Sequence, residues 1–273
     1  MAKRVITSLV LLPFLLFFVV MGGWYLKAAV AVIMILAEDE ICTALSKKRS
    51  APHFVAYAFT LLFIVFVRPE MGVIVFFSVI VLLMLVLAAM LVFGYEKISV
   101  TDCFTAFFSF FYVAVMISTV FLVRMGSHGD VFVWLIFISA WGCDTGALFV
   151  GKAFGKHKLA PKLSPKKSVE GAIGGTLIAT GIAAIYAAII SNFYQIDDIN
   201  FLLFSVVTVF FASISGQIGD LTASAIKRHA NIKDFGKIFV GHGGIMDRFD
   251  SIVLSAPTVF LVISGLFFVM ERI

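Results

Sequence analysis

The apolar run from Phe201 to Ile226 contains Ser213, Gln217, Asp220 and Ser224, spaced four, three and four residues apart. In a helix this spacing puts them on one face, with Lys227 and Arg228 following at its end. A carboxylate in so apolar a stretch is costly unless it is paired, solvated or metal-bound, so Asp220 is a functional candidate; the competing reading is a buried hydrogen bond between helices. Asp247 and Asp250 stand three residues apart where the last apolar run begins. A helix starting near Gly244 presents both on one face, where they could converge with Asp220. Clustered carboxylates beside lysines and arginines suit a divalent cation with a polyphosphate: oxygen ligands fit Mg²⁺, and the ion offsets phosphate charge. The plainer alternative is that the two acids complement the positive end of a helix.

Ahead of these acids runs Gly241-His242-Gly243-Gly244. Its missing side chains let main-chain N–H groups approach an anion at a helix start. His242 is either a catalytic group or a structural hydrogen-bond donor. Earlier, Ser164-Pro165-Lys166-Lys167 reads as an N-cap, a proline at the first helical position and two lysines in the first turn. Lysines there oppose the helix dipole unless an anion docks between them, so a substrate phosphate is one reading and a solvated basic loop the other. Asp144 ends another apolar run within Trp141-Gly-Cys-Asp-Thr-Gly-Ala147 and suggests a water-filled or metal-bearing cavity. Glu38, Asp39 and Glu40 end the second apolar run and read as markers of an interfacial boundary.

The elements that must position these groups are membrane helices. Of 273 residues, 62% are hydrophobic and 14% charged, and the mean hydropathy of +1.10 excludes a water-soluble domain. Apolar runs stand at about Val5 to Met21, Tyr25 to Leu36, Phe54 to Val67, Gly72 to Phe93, Phe104 to Val123, Val131 to Val150, Ala172 to Ile190, Phe201 to Ile226 and Ile252 to Met270. The fold class is therefore an all-α polytopic integral membrane protein of about nine transmembrane helices. The second and third runs are short and could form a re-entrant or tilted hairpin. Residues 1–273 make a single membrane domain, with N-terminal helices over 1–130 and site-bearing helices over 131–273. The cysteines Cys42, Cys103 and Cys143 are odd in number and scattered in apolar sequence, as small core residues rather than a disulfide or metal framework.

Lysine and arginine give the orientation. With the N-terminus cytoplasmic, 17 of the 21 basic residues fall inside, and Lys27, Arg68, Arg124 and Arg272 fall outside. Positive loops stay cytoplasmic, so the C-terminus is expected outside. Two long basic segments, Gly151 to Gly171 and Lys227 to Asp250, then share the cytoplasmic side. The net charge of +5 also permits a plain attraction to anionic headgroups; no nucleic-acid partner is expected.

These stretches resemble the phosphatidate cytidylyltransferases, or CDP-diacylglycerol synthases. The signature reads here as Ser224-Ala-Ile-Lys227-Arg228, then Lys233-Asp234-Phe-Gly236, then His242-Gly243-Gly244-Ile-Met-Asp247-Arg248-Phe-Asp250. A second block comprises Asp144-Thr-Gly-Ala, Phe154-Gly-Lys156-His157-Lys-Leu-Ala-Pro161 and Ser164-Pro-Lys-Lys167-Ser-Val-Glu170-Gly171. The resemblance is strong over the last half and weak at the opening Arg4-Val-Ile-Thr. Val240 replaces the usual proline, and Thr222-Ala223 replaces Phe-Glu, removing one acid.

The resemblance implies transfer of CMP from CTP to phosphatidic acid, giving CDP-diacylglycerol and pyrophosphate, in the cell (inner) membrane with the site facing the cytoplasm. It assigns Asp220 and Asp247 to Mg²⁺, and Asp250 and Asp144 to support or a second metal ion. Lys227, Arg228, Lys166, Lys167 and Arg248 go to phosphates. His242 and Ser224 orient the site, while Ser164, Gly243 and Gly244 complete the substrate-binding set. A homodimer is compatible with the family. The rivals are a polyprenol kinase or a CDP-archaeol synthase type of enzyme, a transporter with Asp144 and Asp220 on an ion path, and a lipid-binding scaffold; no repeated broken helices favour a transporter.

Overall fold

A computed structural model describes Pro13 and residues 15–68, 73–194, 200–236 and 243–270. Two compact units divide the chain: residues 1–125 with 226–249, and residues 126–225 with 250–273.

In the first unit, residues 15–21 are helical and are followed by α1 (Gly23–Ser46), α2 (Ala51–Phe66), α3 (Val73–Phe93) and α4 (Val100–Met125). α1 ends at Lys47, whose left-handed backbone stops the helix. Ser50 then starts α2 through a capping box with His53, with Pro52 in the first turn. The helices close on fully buried Met34, Ile41, Phe63, Phe110 and Ile117. A π turn over Phe110–Val115 lies inside α4. Two of the cations expected outside have structural partners. Lys27 Nζ donates to the carbonyls of Val65 and Val67 at 3.0 and 3.2 Å, and Arg124 donates to those of Val19 and Val20. Both satisfy carbonyls that a helix end leaves without partners.

The second unit holds α5 (Gly129–Phe154), a hairpin of β1 (Lys158–Ala160) and β2 (Ser164–Ser168), α6 (Val169–Ile190), most of α7 (Phe201–His229) and α9 (Ile252–Met270). A Cβ added at Gly175 would stand 2.5 Å from the Cys143 carbonyl oxygen, so α5 and α6 approach closely only because small residues line their contact. A π turn, Ile138–Gly142, precedes Asp144 within α5; such turns re-aim the residues that follow. The short α8 (Met246–Phe249) returns to the first unit.

Two expectations are corrected. The Ser164-Pro165-Lys166-Lys167 stretch is strand β2, antiparallel to β1, rather than a helix start. Ser168 is the N-cap of α6, its hydroxyl accepting the Gly171 N–H at 3.1 Å, and pairing with β1 holds the preceding residues extended. Nor does one helix run from Gly244: α8 stops at Phe249 and α9 begins at Ile252, so Asp247 and Asp250 do not share a continuous helical face.

Among the described residues, α4, α5, α6, α7 and Ile74–Phe93 of α3 are long and apolar enough to cross a membrane, while Ala51–Phe66 and Ile252–Leu266 are shorter apolar helices. α1 is 24 residues long but carries Lys27, Glu38, Asp39 and Glu40. Large apolar side chains stay exposed along these helices, Ile74 by 82% and Leu85 by 62%, as suits contact with hydrocarbon rather than water. The chain is an all-α, multi-pass membrane protein apart from the small hairpin.

Candidate active site

Residues 226–249 build the first cluster. Lys227, in the last turn of α7, donates to Asp247 Oδ1 at 2.7 Å; the two side chains are 12% and 6% exposed. Its ammonium also lies 5.3 Å from the centre of the Phe235 ring, a cation–π contact. Asp247 Oδ2 accepts two main-chain N–H groups, from Phe235 at 2.8 Å and Gly244 at 2.9 Å. Both oxygens of Asp247 are thus engaged. Gly243 has φ +84°, and a Cβ there would stand 2.6 Å from Asp247 Oδ2. Its glycine is required by both the left-handed backbone and the neighbouring carboxylate.

Glu40 completes this cluster, a role the sequence reading missed. Its Oε1 accepts the N–H of Ile245 at 3.0 Å and its Oε2 that of Met246 at 2.8 Å. Burial pushes its carboxyl above the ordinary glutamate range, and the two main-chain donors oppose that shift. The three acids read as interfacial markers each have specific partners. Glu38 is buried and accepts from Thr60 at 2.8 Å. Asp39 is held by Arg49 through two contacts of 2.6 Å and by Tyr57 at 3.1 Å. Three neighbouring acids at the end of an apolar helix were a visible signal; their partners were not.

In the second unit Asp220, on α7, is paired with Lys167 of β2, the side chains being 21% and 27% exposed. Among the described residues, the donor to Asp220 Oδ1 is a marginal one, Ser224 Oγ at 3.5 Å. Asp144 Oδ2 accepts from Ser251 Oγ at 3.0 Å, and Asp250 Oδ1 accepts the Ser251 N–H at 2.9 Å. One turn before Asp220, Gln217 donates to Thr176 Oγ1 at 2.8 Å and to the Ala172 carbonyl at 3.2 Å. Ser213 donates to the Ser139 carbonyl. These two polar residues of the expected face therefore lock α7 to α6 and α5, while Asp220 is held from the hairpin. A groove of about 350 Å³, mostly apolar and lined by Leu177, Phe210, Ile214 and Leu221 with Thr176 and Gln217, opens along α6 and α7.

The remaining candidates differ in exposure. Lys166 and Lys167 alternate along β2 and point to opposite faces, Lys166 exposed, so they do not flank one site as the helix-start reading required. Ser164 is half-buried in β2 opposite Ala160. Arg228 is exposed, its guanidinium 3.4 Å from the Ile232 carbonyl, and Arg248 is exposed beside Asp247 in sequence. His242 lies outside the described residues, as do Val240 and the Arg4-Val-Ile-Thr stretch. Glu170, in the matching block, accepts the N–H groups of Lys156 and His157 and contacts His157 Nδ1 at 2.6 Å, tying α6 to the hairpin.

For a divalent cation, the donor chemistry fits on Asp220 and Asp144. Both offer carboxylate oxygens in one unit, and Mg²⁺ commonly takes one or two carboxylates, completing its shell with water and substrate phosphate. Asp247 fits less directly, since its oxygens already accept Lys227 and two N–H groups. Among the described residues no group of three His, Cys, Asp or Glu could hold a metal.

Residues 2–266 match the family model described as Cytidylyltransferase family. A protein of Staphylococcus aureus (strain COL) named phosphatidate cytidylyltransferase is 32% identical over 94% of this chain and 96% of its own length. Same-named proteins of Bacillus subtilis (strain 168) and Staphylococcus haemolyticus (strain JCSC1435) are 31% and 36% identical, over 52% and 48% of this chain. In those two alignments the chain spans about half the length of the relatives, 50% and 48%.

Proposed function

The chain belongs to the cytidylyltransferase family, and from that premise we propose that it is a phosphatidate cytidylyltransferase, moving CMP from CTP to phosphatidic acid in phospholipid biosynthesis. The observation that carries the reading is a pair of lysines, Lys227 and Lys167, each held by an aspartate on or beside an apolar helix. An ammonium fixed this way is suited to phosphate oxygens without the cost of ordering a free side chain.

In the proposed step an oxygen of the lipid phosphate attacks the α-phosphorus of CTP. The bond to the bridging oxygen breaks, and pyrophosphate leaves with the electron pair. The nucleophile is already anionic, so no general base is needed, and charge screening with in-line alignment is the main task. Lys227 and Lys167 receive phosphate oxygens, and Arg228, Lys166 and Arg248 add outer positive charge. Gly243 and Gly244 keep the main chain close to Asp247, and Ser224 steadies Asp220. Asp220 is the proposed magnesium ligand, with Asp144 and Asp250 supporting in the same unit. The resemblance also assigns Asp247 to magnesium; in its own unit its carboxylate would orient Lys227. The ion would supply charge neutralisation at phosphate oxygens.

We further propose nine spans with the N-terminus cytoplasmic, the C-terminus outside and the reacting groups on the cytoplasmic face of the cell membrane. The engagement of Lys27 and Arg124 with main-chain carbonyls supports that orientation, because it explains two of the four basic residues placed outside. The mostly apolar groove along α6 and α7 suits an acyl chain of the lipid substrate. The family resemblance carries the expectation of a homodimer, which cross-linking in native membranes would decide. The reaction itself is tested by incubating purified protein with Mg²⁺, phosphatidic acid and CTP labelled at the α-phosphorus. Label in a lipid product with release of pyrophosphate is expected. Release of labelled CDP would identify a kinase instead, and an unlabelled lipid fraction would sink the proposal.

A further inference from the structure

Successive helix positions point about 100° apart, and the three acids closing α1 go to three different places. Glu38 meets Thr60, Asp39 meets Arg49 and Tyr57, and Glu40 meets the main chain of residues 245 and 246. Glu40 is 6% exposed, and among the described residues no lysine, arginine or histidine lies within salt-bridge distance of it. A buried carboxylate without a cation is expensive unless main-chain donors satisfy it. Each of its oxygens takes one N–H, and both donors belong to the turn that carries Asp247.

The glycines of the signature fit the same side chain. A Cβ built on Gly236 would run into Glu40 Oε1, and one built on Gly244 would run into both oxygens and the carboxyl carbon. The Gly236 Cβ would also lie 3.2 Å from the Gly244 Cα. Gly236 and Gly244 therefore close around the Glu40 carboxylate, at the two ends of residues 237–242. The same segments give Asp247 its two main-chain donors, Phe235 next to Gly236 and Gly244 itself.

We propose that Glu40 is the positioning residue of the Lys227–Asp247 pair: its carboxylate clasps the segments at Gly236 and Gly244–Met246 and fixes the turn on which Asp247 stands. The clasp explains two signature glycines by the volume of a side chain some 200 residues earlier in the chain. Its catalytic consequence rests on the proposed reaction; its structural content does not.

The test uses the full chain in nanodiscs with Glu40→Gln, Glu40→Ala, Gly244→Ala and the double variant Glu40→Ala/Gly244→Ala. In Glu40→Ala the amides of Ile245 and Met246 should exchange with deuterium about tenfold faster or more, while α6 peptides keep their rates. Turnover should fall about tenfold or more through kcat, with the KM for CTP nearly unchanged, because alignment rather than binding is lost. Glu40→Gln, which keeps the shape and one good acceptor, should lie between. Gly244→Ala should be severely impaired alone yet add no further loss to Glu40→Ala, since the missing carboxylate leaves room for the new methyl group. Unchanged exchange at Ile245 and Met246, unchanged kcat, or an equal loss from Gly244→Ala in both backgrounds would overturn the proposal. If the wild type makes no CDP-lipid, the reaction reading fails, while exchange and the thermal stability of the same four variants still decide the clasp.

Discussion

Lys227–Asp247 and Lys167–Asp220 pair the same residue types in different surroundings. In the first, both side chains are nearly buried, an aromatic ring covers the ammonium, and the aspartate accepts two further main-chain donors. In the second, about a quarter of each side chain stays open and, among the described residues, one carboxylate oxygen has only the marginal serine contact. Saturation makes Asp247 a hub that shapes its own loop. Spare acceptor capacity leaves Asp220 able to take a cation. Two aspartates of the same pairing are therefore expected to fail in different ways when neutralised.

The largest effect expected is on turnover. Asp220→Asn should lower Mg²⁺-dependent CDP-lipid formation by about 10²- to 10³-fold, the scale of removing one preorganised charge partner from a reacting centre. Its melting temperature should change little, because a partly exposed pair contributes about 1 kcal/mol or less. A Mg²⁺ titration of initial rates checks this, and a wild-type rate would remove Asp220 from the metal site. Asp247→Asn should lose stability as well as activity, by about 3 kcal/mol, because it strands a buried lysine and weakens acceptance from Phe235 and Gly244. Thermal unfolding in detergent reads it directly. Equal melting temperatures for the two variants would erase the distinction between hub and open ligand.

The hairpin gives a smaller contrast. β2 turns Lys167 towards Asp220 and Lys166 to the open face, so Lys167→Ala should raise the KM for CTP or lipid by about tenfold, near the value of one charge-assisted hydrogen bond. Lys166→Ala should change it less than about twofold. Similar shifts in both would restore the symmetrical reading of the two lysines.

What the sequence could convey depended on distance along the chain. The apolar run Ile252 to Met270 coincides with α9, and the 213, 217, 220, 224 spacing does lie on one helix, because local period and local helix are the same information. The hairpin was illegible for a physical reason: Lys158 to Ser168 carries prolines and lysines without alternating polarity, and its extended form comes from mutual pairing rather than propensity. The stop at Asp250 and Ser251 gave no proline or glycine to mark it. Glu40 was hidden most deeply. Its partners are main-chain N–H groups of Ile245 and Met246, and a main-chain donor leaves no trace in residue type. Of the two glycines that make room for it, Gly244 reads locally as part of an anion-binding loop and Gly236 only as a signature position, neither as room for a carboxylate of α1.

A third ionic contact sets the lower end of the comparison. Asp39, beyond the apolar stretch Tyr25 to Leu36, is gripped at both oxygens by Arg49, whose side chain is 60% exposed. The guanidinium holds the Asp39 carboxyl below its ordinary range, burial opposing and Tyr57 assisting. A depressed carboxylate contributes stability at pH values above its unfolded pKa of about 4, and that contribution is lost as pH falls through the lower folded value. Arg49→Gln should therefore lower the melting temperature only slightly at pH 7, with the wild-type and variant curves converging below about pH 4. High salt should narrow the gap as well, since an exposed pair is screened. Asp247→Asn should keep its deficit in high salt, because the stranded lysine is buried. If salt instead rescued Asp247→Asn as readily as Arg49→Gln, the hub would be a surface pair, and the contrast with Asp220 would rest on exposure alone.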